Sequence, residues 1–251
     1  MRFKLKNFII TNFLLISLVA LLVVLTGCSE PKKNCDVLVF TGGKKFERES
    51  FLKIFDDLKT INYREVIQPQ ANDIYSSAAI DSFDALVFYD VVQEISEDQK
   101  EAFLKLLNKG KGIVFLHHSL LSYQEWDEYE KITGGRYYQS TNKSDSLKFT
   151  QSTFQHDVEI PVKIVNKDHP VTRGLDDFVI HDEVYTHYKI FPKVNPLITT
   201  THPQSEKVIG WTNTYGKSRI VYIQLGHDHN AYNDVNYRKL IEQSINWVVE
   251  Y

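Results

Sequence analysis

Gly110-Lys-Gly-Ile-Val-Phe-Leu-His-His-Ser119 is the stretch on which the fold turns. Ile113 to Leu116 is apolar at every position, and two histidines follow at once. A short run without polar alternation is a strand buried on both faces, which belongs in a parallel sheet covered by helices. Upstream, Ser96-Glu-Asp-Gln99 has the hydroxyl and the amide of a capping box. Phe103, Leu106 and Leu107 then give a helix its buried stripe, and Gly110 stops it. Ala85-Leu-Val-Phe-Tyr89 is another apolar strand, and Arg64 to Gln68 a further one. Phe51, Ile54, Phe55 and Leu58 recur at helical spacing within Phe46 to Lys59. Val37-Leu-Val-Phe40 opens the series and ends at Gly42-Gly43.

Strand, helix, strand, strand, helix, strand at this spacing predicts βαβ units, hence an α/β fold with a mainly parallel sheet. The second half changes character. Leu147 to Val165 alternates and is rich in Thr, Val, Ile and Phe, which predicts added antiparallel strands. Val208 to Trp211 and Arg219 to Leu225 are two more strands, joined by a turn at Tyr215-Gly-Lys217. Asn236 to Val249 closes the chain as a helix, with Leu240, Ile241, Ile245 and Val248 inward. No repeat or interdomain linker interrupts residues 36–251, so one domain is expected.

The first residues read differently. Arg2, Lys4 and Lys6 precede Phe8 to Val24, in which only Thr11, Asn12 and Ser17 are polar. This is the layout of a secretory signal, predicted to span residues 1–27. A retained anchor helix is the alternative, since a membrane helix needs roughly 20 apolar residues. Leu25-Thr-Gly-Cys28 resembles the lipobox of bacterial lipoproteins, whose cysteine is lipidated and becomes the first mature residue. Residues 28–35 then form the lipidated Cys28 and a polar tether. The expected location is the bacterial envelope, held to the membrane by lipid on Cys28. Ser29 in place of Asp favours the outer membrane. Removing residues 1–27 takes three of the 29 basic residues and no acidic ones, leaving 26 against 32 and a net charge of −6. With no Lys/Arg stripe, nucleic acid is excluded as a partner. Cys35 starts an apolar run and reads as a small buried residue.

Ligands of open parallel sheets bind beyond the carboxyl ends of the strands. Those places here carry Thr41-Gly42-Gly43, Tyr89-Asp90, His117-His118-Ser119 and Gly226-His227-Asp228-His229. His117 and His118 can serve one pocket only if the chain turns there, because strand neighbours point apart. The alternative is a pair of satisfied histidines. His227 and His229, two apart, put both rings on one side of an extended segment. With His117 or His118 they would make three ligands for a divalent metal such as zinc, against a metal-free acid/base site. Asp182-Glu183 sits between apolar residues and calls for a cationic, histidine or metal partner, unless it marks a surface turn. His156, His187 and His202 lie in polar surroundings and read as exposed bystanders. Ser119 lacks the flanking glycines of a nucleophile elbow, and Gly42-Gly43-Lys44-Lys45 lacks those of a dinucleotide or phosphate loop.

Seven ordered motifs run from Val37 to Trp247: the Gly110 stretch, Trp126-Asp-Glu-Tyr-Glu-Lys-Ile-Thr-Gly-Gly135, Asp168-His-Pro-Val-Thr-Arg-Gly174, Asp182-Glu-Val-Tyr185, Gly210-Trp211, Tyr215-Gly-Lys-Ser-Arg219 and Leu225-Gly-His-Asp228. Together they resemble the trehalose-utilisation (ThuA-like) family. The resemblance implies a flavodoxin-like sheet with helices on both faces, similar to class I glutamine amidotransferases but without their cysteine. It also implies sugar catabolism, of disaccharides and their keto forms. The expected catalytic residues are His117, His118, Asp182, Glu183 and His227. Gly42, Gly43, Tyr185, Trp211 and Asp228 are expected to bind a small carbohydrate substrate. Where many relatives carry a histidine after the first strand, this chain has Arg48. The leading expectation is an envelope enzyme; the rival is a non-catalytic glycan-binding lipoprotein.

Overall fold

Strand β4 (Gly112–Leu116) is buried throughout, between β3 (Ala85–Asp90) and β11 (Ser218–Ile223), and is parallel to both. The computed structural model describes residues 34–139 and 150–249, so the signal, Cys28 and the first tether residues lie outside the described residues, as does Leu147 to Phe149. Strands β1 (Cys35–Gly42) and β2 (Ile61–Ile67) continue the parallel half, in the order β2-β1-β3-β4-β11. The other half is antiparallel: β10 (Val208–Tyr215), β9 (Asn195–Thr200), β6 (Thr153–Ile164) and β7 (Phe178–Thr186) follow β11 in that order. A two-stranded ribbon of β5 (Gly135–Arg136) and β8 (Lys189–Ile190) lies apart from this nine-stranded sheet. The α/β architecture, parallel first and antiparallel later, is the one the sequence predicts.

Helices cover both faces because strand neighbours point apart. On one side α1 (Arg48–Asp56) and α5 (Val235–Val249) bring Phe51, Ile54, Leu240 and Ile245 against Val37, Val39, Val114 and Leu116. On the other, α2 (Glu97–Lys109) and α3 (Asp127–Thr133) bring Phe103, Leu106 and Ile132 against Leu38, Phe88, Ile113 and Phe115. Each such side chain contributes roughly 1.5–3 kcal/mol by leaving water. The capping box of α2 forms as read: Ser96 Oγ accepts from the Gln99 amide, and the Gln99 side chain accepts from Ser96 N–H. Among the described residues, no helix is long and apolar enough to cross a membrane. A short helix α4 (His229–Asn233) follows the loop after β11. The carboxyl ends of β1, β3, β4 and β11 therefore open onto one rim.

Candidate functional site

The rim's centre is the elbow after β4. His117 takes a left-handed backbone, φ 44°, and opens a 3-10 turn, His117–Leu121. That turn is what lets both histidines serve one site: their rings meet edge to face, 4.2 Å apart. His117 Nδ1 lies 2.5 Å from the Gln224 carbonyl, which can only accept, so Nδ1 carries the proton. On the neutral ring Nε2 then offers its lone pair. It faces Glu183 Oε2 at 3.1 Å, Tyr185 Oη at 2.9 Å and His227 Nδ1 at 3.3 Å. Glu183 and Tyr185, two apart on β7, share a strand face and so reach the same nitrogen. Glu183 Oε2 also holds His227 Nδ1 at 2.6 Å. His117, His118 and Glu183 are buried, whereas His227 is partly exposed.

Burial acts against the Glu183 carboxylate, yet the His117 and His227 side chains outweigh it and hold this carboxyl below its ordinary range. Burial likewise pulls His227 down, but the bond to Glu183 more than offsets it and leaves the imidazole raised. His118 is pushed well below its ordinary range by burial, then by the charges of His117 and Lys44. It is a neutral imidazole at physiological pH. The side chains of His117, His118, Glu183 and His227 place one donor atom each within 4.8 Å of one another, the spacing of metal ligands.

Above this floor lies a cleft of about 320 Å³, lined by Lys44, Tyr137, Gln139, Gln151 and Phe154, with Glu183 and Tyr185 at its base. Phe154 is 53% exposed, and Lys44 Nζ lies 5.9 Å from its ring centroid. An open aromatic face beside amides and an ammonium suits a sugar ring, apolar on its face and hydroxylated at its edge.

Other expected site residues turn to structural work. Asp182 leaves β7 on the opposite face from Glu183 and accepts backbone N–H bonds from Gly226 (2.7 Å), His227 (2.9 Å) and Glu183 (2.8 Å). It thereby ties the His227 backbone to β7. Trp211 is fully buried, donating to the Thr133 carbonyl at 2.8 Å, and has no face for a sugar. Asp228 caps α4 through Asn230 N–H at 2.8 Å. Gly43 is a spacer: a Cβ there would lie 1.6 Å from the Val91 carbonyl oxygen. Gly42 likewise sits tight on the Gln68 carbonyl and passes the chain to Lys44. His229 pairs with Glu47 at 3.0 Å and leaves the metal-ligand set proposed for it. Arg48 pairs with Glu65, away from the cleft. Asp90 is buried beside Gln68, Tyr75 and Tyr123, apart from the cluster.

One residue beside the cluster escaped the sequence reading. His156 Nδ1 lies 3.7 Å from Glu183 Oε2, and its ring is 4.4 Å from that of His227. Its polar neighbours Gln155 and Asp157 gave no signal of this placement.

The sequence matches the ThuA family, described as Trehalose utilisation, over residues 36–248. The chain belongs to the ThuA family. No curated protein sequence matches it. Among solved structures it is similar to a ThuA-like protein from Parabacteroides merdae ATCC 43184, with TM-score 0.75 and 17% identity over 86% of this chain and 90% of that one. A ThuA-like protein from Bacteroides uniformis ATCC 8492 follows at TM-score 0.67 and 17% identity, over 88% and 94%. A cytoplasmic protein from Salmonella typhimurium LT2 reaches TM-score 0.60 at 10% identity, over 84% and 99%. At such identities these likenesses establish the fold, the flavodoxin and glutamine amidotransferase-like arrangement of ThuA proteins. In this ThuA chain a histidine stands at the elbow after β4, where hydrolases of related architecture place a nucleophile.

Proposed function

We propose that this ThuA chain is an envelope enzyme of carbohydrate catabolism, acting on a disaccharide or its keto form by histidine and carboxylate acid/base chemistry. The observation that carries the reading is the convergence of His117, Glu183 and His227 beneath a cleft walled by Phe154. His227 is the outward member. Its half-buried imidazole, kept protonated to higher pH by Glu183, is placed to exchange a proton with a sugar oxygen or an acidic C–H beside a keto group. Glu183 orients that ring, and His117, fixed by Gln224 and Tyr185, stands beside both. Phe154, Gln139 and Gln151 would take the sugar ring from the side. The family's association with trehalose utilisation supports the substrate class. The lipobox-like Leu25-Thr-Gly-Cys28 supports anchorage in the envelope, with the outer membrane favoured by Ser29.

The test is turnover by the full-length protein, solubilised in mild detergent, on a panel of disaccharides and 3-keto-disaccharides. Conversion of at least one compound, lost in His227→Ala, is the expected result. Saturable binding of a sugar without conversion of any would instead make the protein a glycan-binding lipoprotein.

A further inference from the structure

We infer that His117, His118, Glu183 and His227 form the binding site of one divalent transition-metal ion of the zinc class. The first argument is the direction of the lone pairs. The Gln224 carbonyl fixes the proton of His117 on Nδ1, so Nε2 turns an electron pair toward Glu183 Oε2 at 3.1 Å and toward His227 Nδ1 at 3.3 Å. Glu183 Oε2 and His227 Nδ1 are themselves 2.6 Å apart. The Tyr185 hydroxyl can donate to Nε2 at 2.9 Å, but three electron-rich atoms gathered this closely still call for positive charge among them.

A proton on His227 meets part of that need, by donating to Glu183. It leaves two atoms stranded: His118 Nε2 and Glu183 Oε1 are both buried without a hydrogen-bond partner. Their residues are 2% and 1% exposed. A buried polar atom without a partner costs about 1–3 kcal/mol. A cation bound by the four residues satisfies His118 Nε2, and Glu183 Oε1 too if the carboxylate binds through both oxygens.

Dimensions agree. Tetrahedral zinc with ligand bonds of about 2.0–2.1 Å sets its ligand atoms about 3.3 Å apart. The observed 3.1 and 3.3 Å lie near that value, the 2.6 Å between Glu183 and His227 is shorter, as befits a hydrogen-bonded pair, and the full set stays within 4.8 Å. Three imidazoles and one carboxylate select zinc and its first-row neighbours over calcium and magnesium, which want oxygen ligands. The outer shell is in place too. The Gln224 carbonyl orients His117, and the Asp182 carboxylate holds the backbone N–H of His227. His227 and His156 are partly exposed, so a ligand oxygen would reach the ion from their side as a fifth ligand. Polarisation of a carbonyl there would suit a keto-sugar, but the site stands on its ligand geometry whether or not the substrate is a sugar.

The decisive experiment needs no substrate. Full-length, untagged protein in mild detergent is stripped with chelator, freed of chelator, and titrated with zinc chloride by calorimetry and by thermal melting. One equivalent should bind with a Kd below about 1 μM. The melting temperature should rise by about 5 °C or more at hundredfold excess over Kd. Calcium and magnesium chloride should give neither effect. His118→Ala and Glu183→Gln should each weaken zinc at least about tenfold, the second while nearly preserving side-chain shape. His229→Ala, outside the cluster, should bind as wild type. Folded wild-type protein that binds no zinc overturns the proposal, as does binding that survives both His118→Ala and Glu183→Gln unchanged. Zinc binding without turnover of any sugar would uphold this site and count against the enzyme reading alone.

Discussion

His117 occupies a backbone conformation that costs an ordinary side chain roughly 1 kcal/mol, and asparagine less. That fact shapes its mutational test. His117→Asn keeps the left-handed elbow while removing the imidazole. It should lower sugar turnover about 10²-fold or more, with a melting temperature above that of His117→Ala. Wild-type rates in His117→Asn would move the chemistry to His227 alone. Asp90 gives a second residue-scale prediction, outside the cluster. Burial pushes its carboxyl up to about 8, with the Gln68 amide partly opposing. The unfolded value is about 3.9, so the native state binds this proton more tightly. Its stabilising contribution is full below about pH 4 and is lost as pH rises through about 8, a span on the order of 5 kcal/mol. Asp90→Asn should therefore melt higher than wild type at pH 9 and close to it at pH 5. A wild-type pH slope that persists in Asp90→Asn would assign the slope to other groups. The histidine pair and Glu183 were legible in the sequence because nothing in strand formation asks for charged or titratable groups just beyond an apolar run. The roles of Asp182, Asp228 and Trp211 were not, since a hydrogen bond to a particular N–H leaves no mark on the sequence pattern.

At the scale of elements, the parallel half was readable in order, from the apolar runs of β1, β3 and β4 to the Ser96 capping box. Ser96→Ala should cost about 1 kcal/mol by losing the cap, lowering the melting temperature while leaving turnover unchanged. A drop in turnover beyond the loss of folded protein would mean that α2 reaches the site. Strand β7 was not readable as a strand: one face carries Glu183 and Tyr185 to the His117 cluster and the other carries Asp182 to the loop after β11, so the apolar alternation fails on both faces. His156 was hidden by a different cause. The β6–β7 register shifts between Gln155 and Val158, and Asp157 adopts φ 57°, so a bulge turns the His156 ring toward Glu183. No alternation predicts a bulge. The Asp182 clamp is also an element-scale device, tying β7 to the loop after β11. Asp182→Asn replaces one acceptor oxygen by an amide NH₂ facing backbone N–H groups, and should cost at least about 1–3 kcal/mol. Activity should fall further than stability, because His227 loses its seat; equal losses would show that Asp182 serves the fold alone.

For the whole molecule, the anchor is the first matter. A single acyl chain holds a protein only marginally to a membrane, whereas more than one makes attachment stable. Cys28→Ala should abolish palmitate labelling and processing at Gly27, and a variant still cleaved and membrane-held like wild type would refute lipidation at Cys28. The sheet has a consequence of another kind. Its centre, β4, supplies His117 and His118, while Glu183 comes from β7, the last strand in the order β2-β1-β3-β4-β11-β10-β9-β6-β7. Edge strands open locally at a lower free energy than the strands they flank. The groups of the cluster thus come from regions of unequal permanence: the histidines of β4 from the part expected to open last, the carboxylate from the part expected to open first. Amides of β6 and β7 should exchange with deuterium well before those of β4, and sugar turnover should fail several degrees below the melting transition. Heat would then switch the protein off reversibly by fraying one border, with its interior still closed.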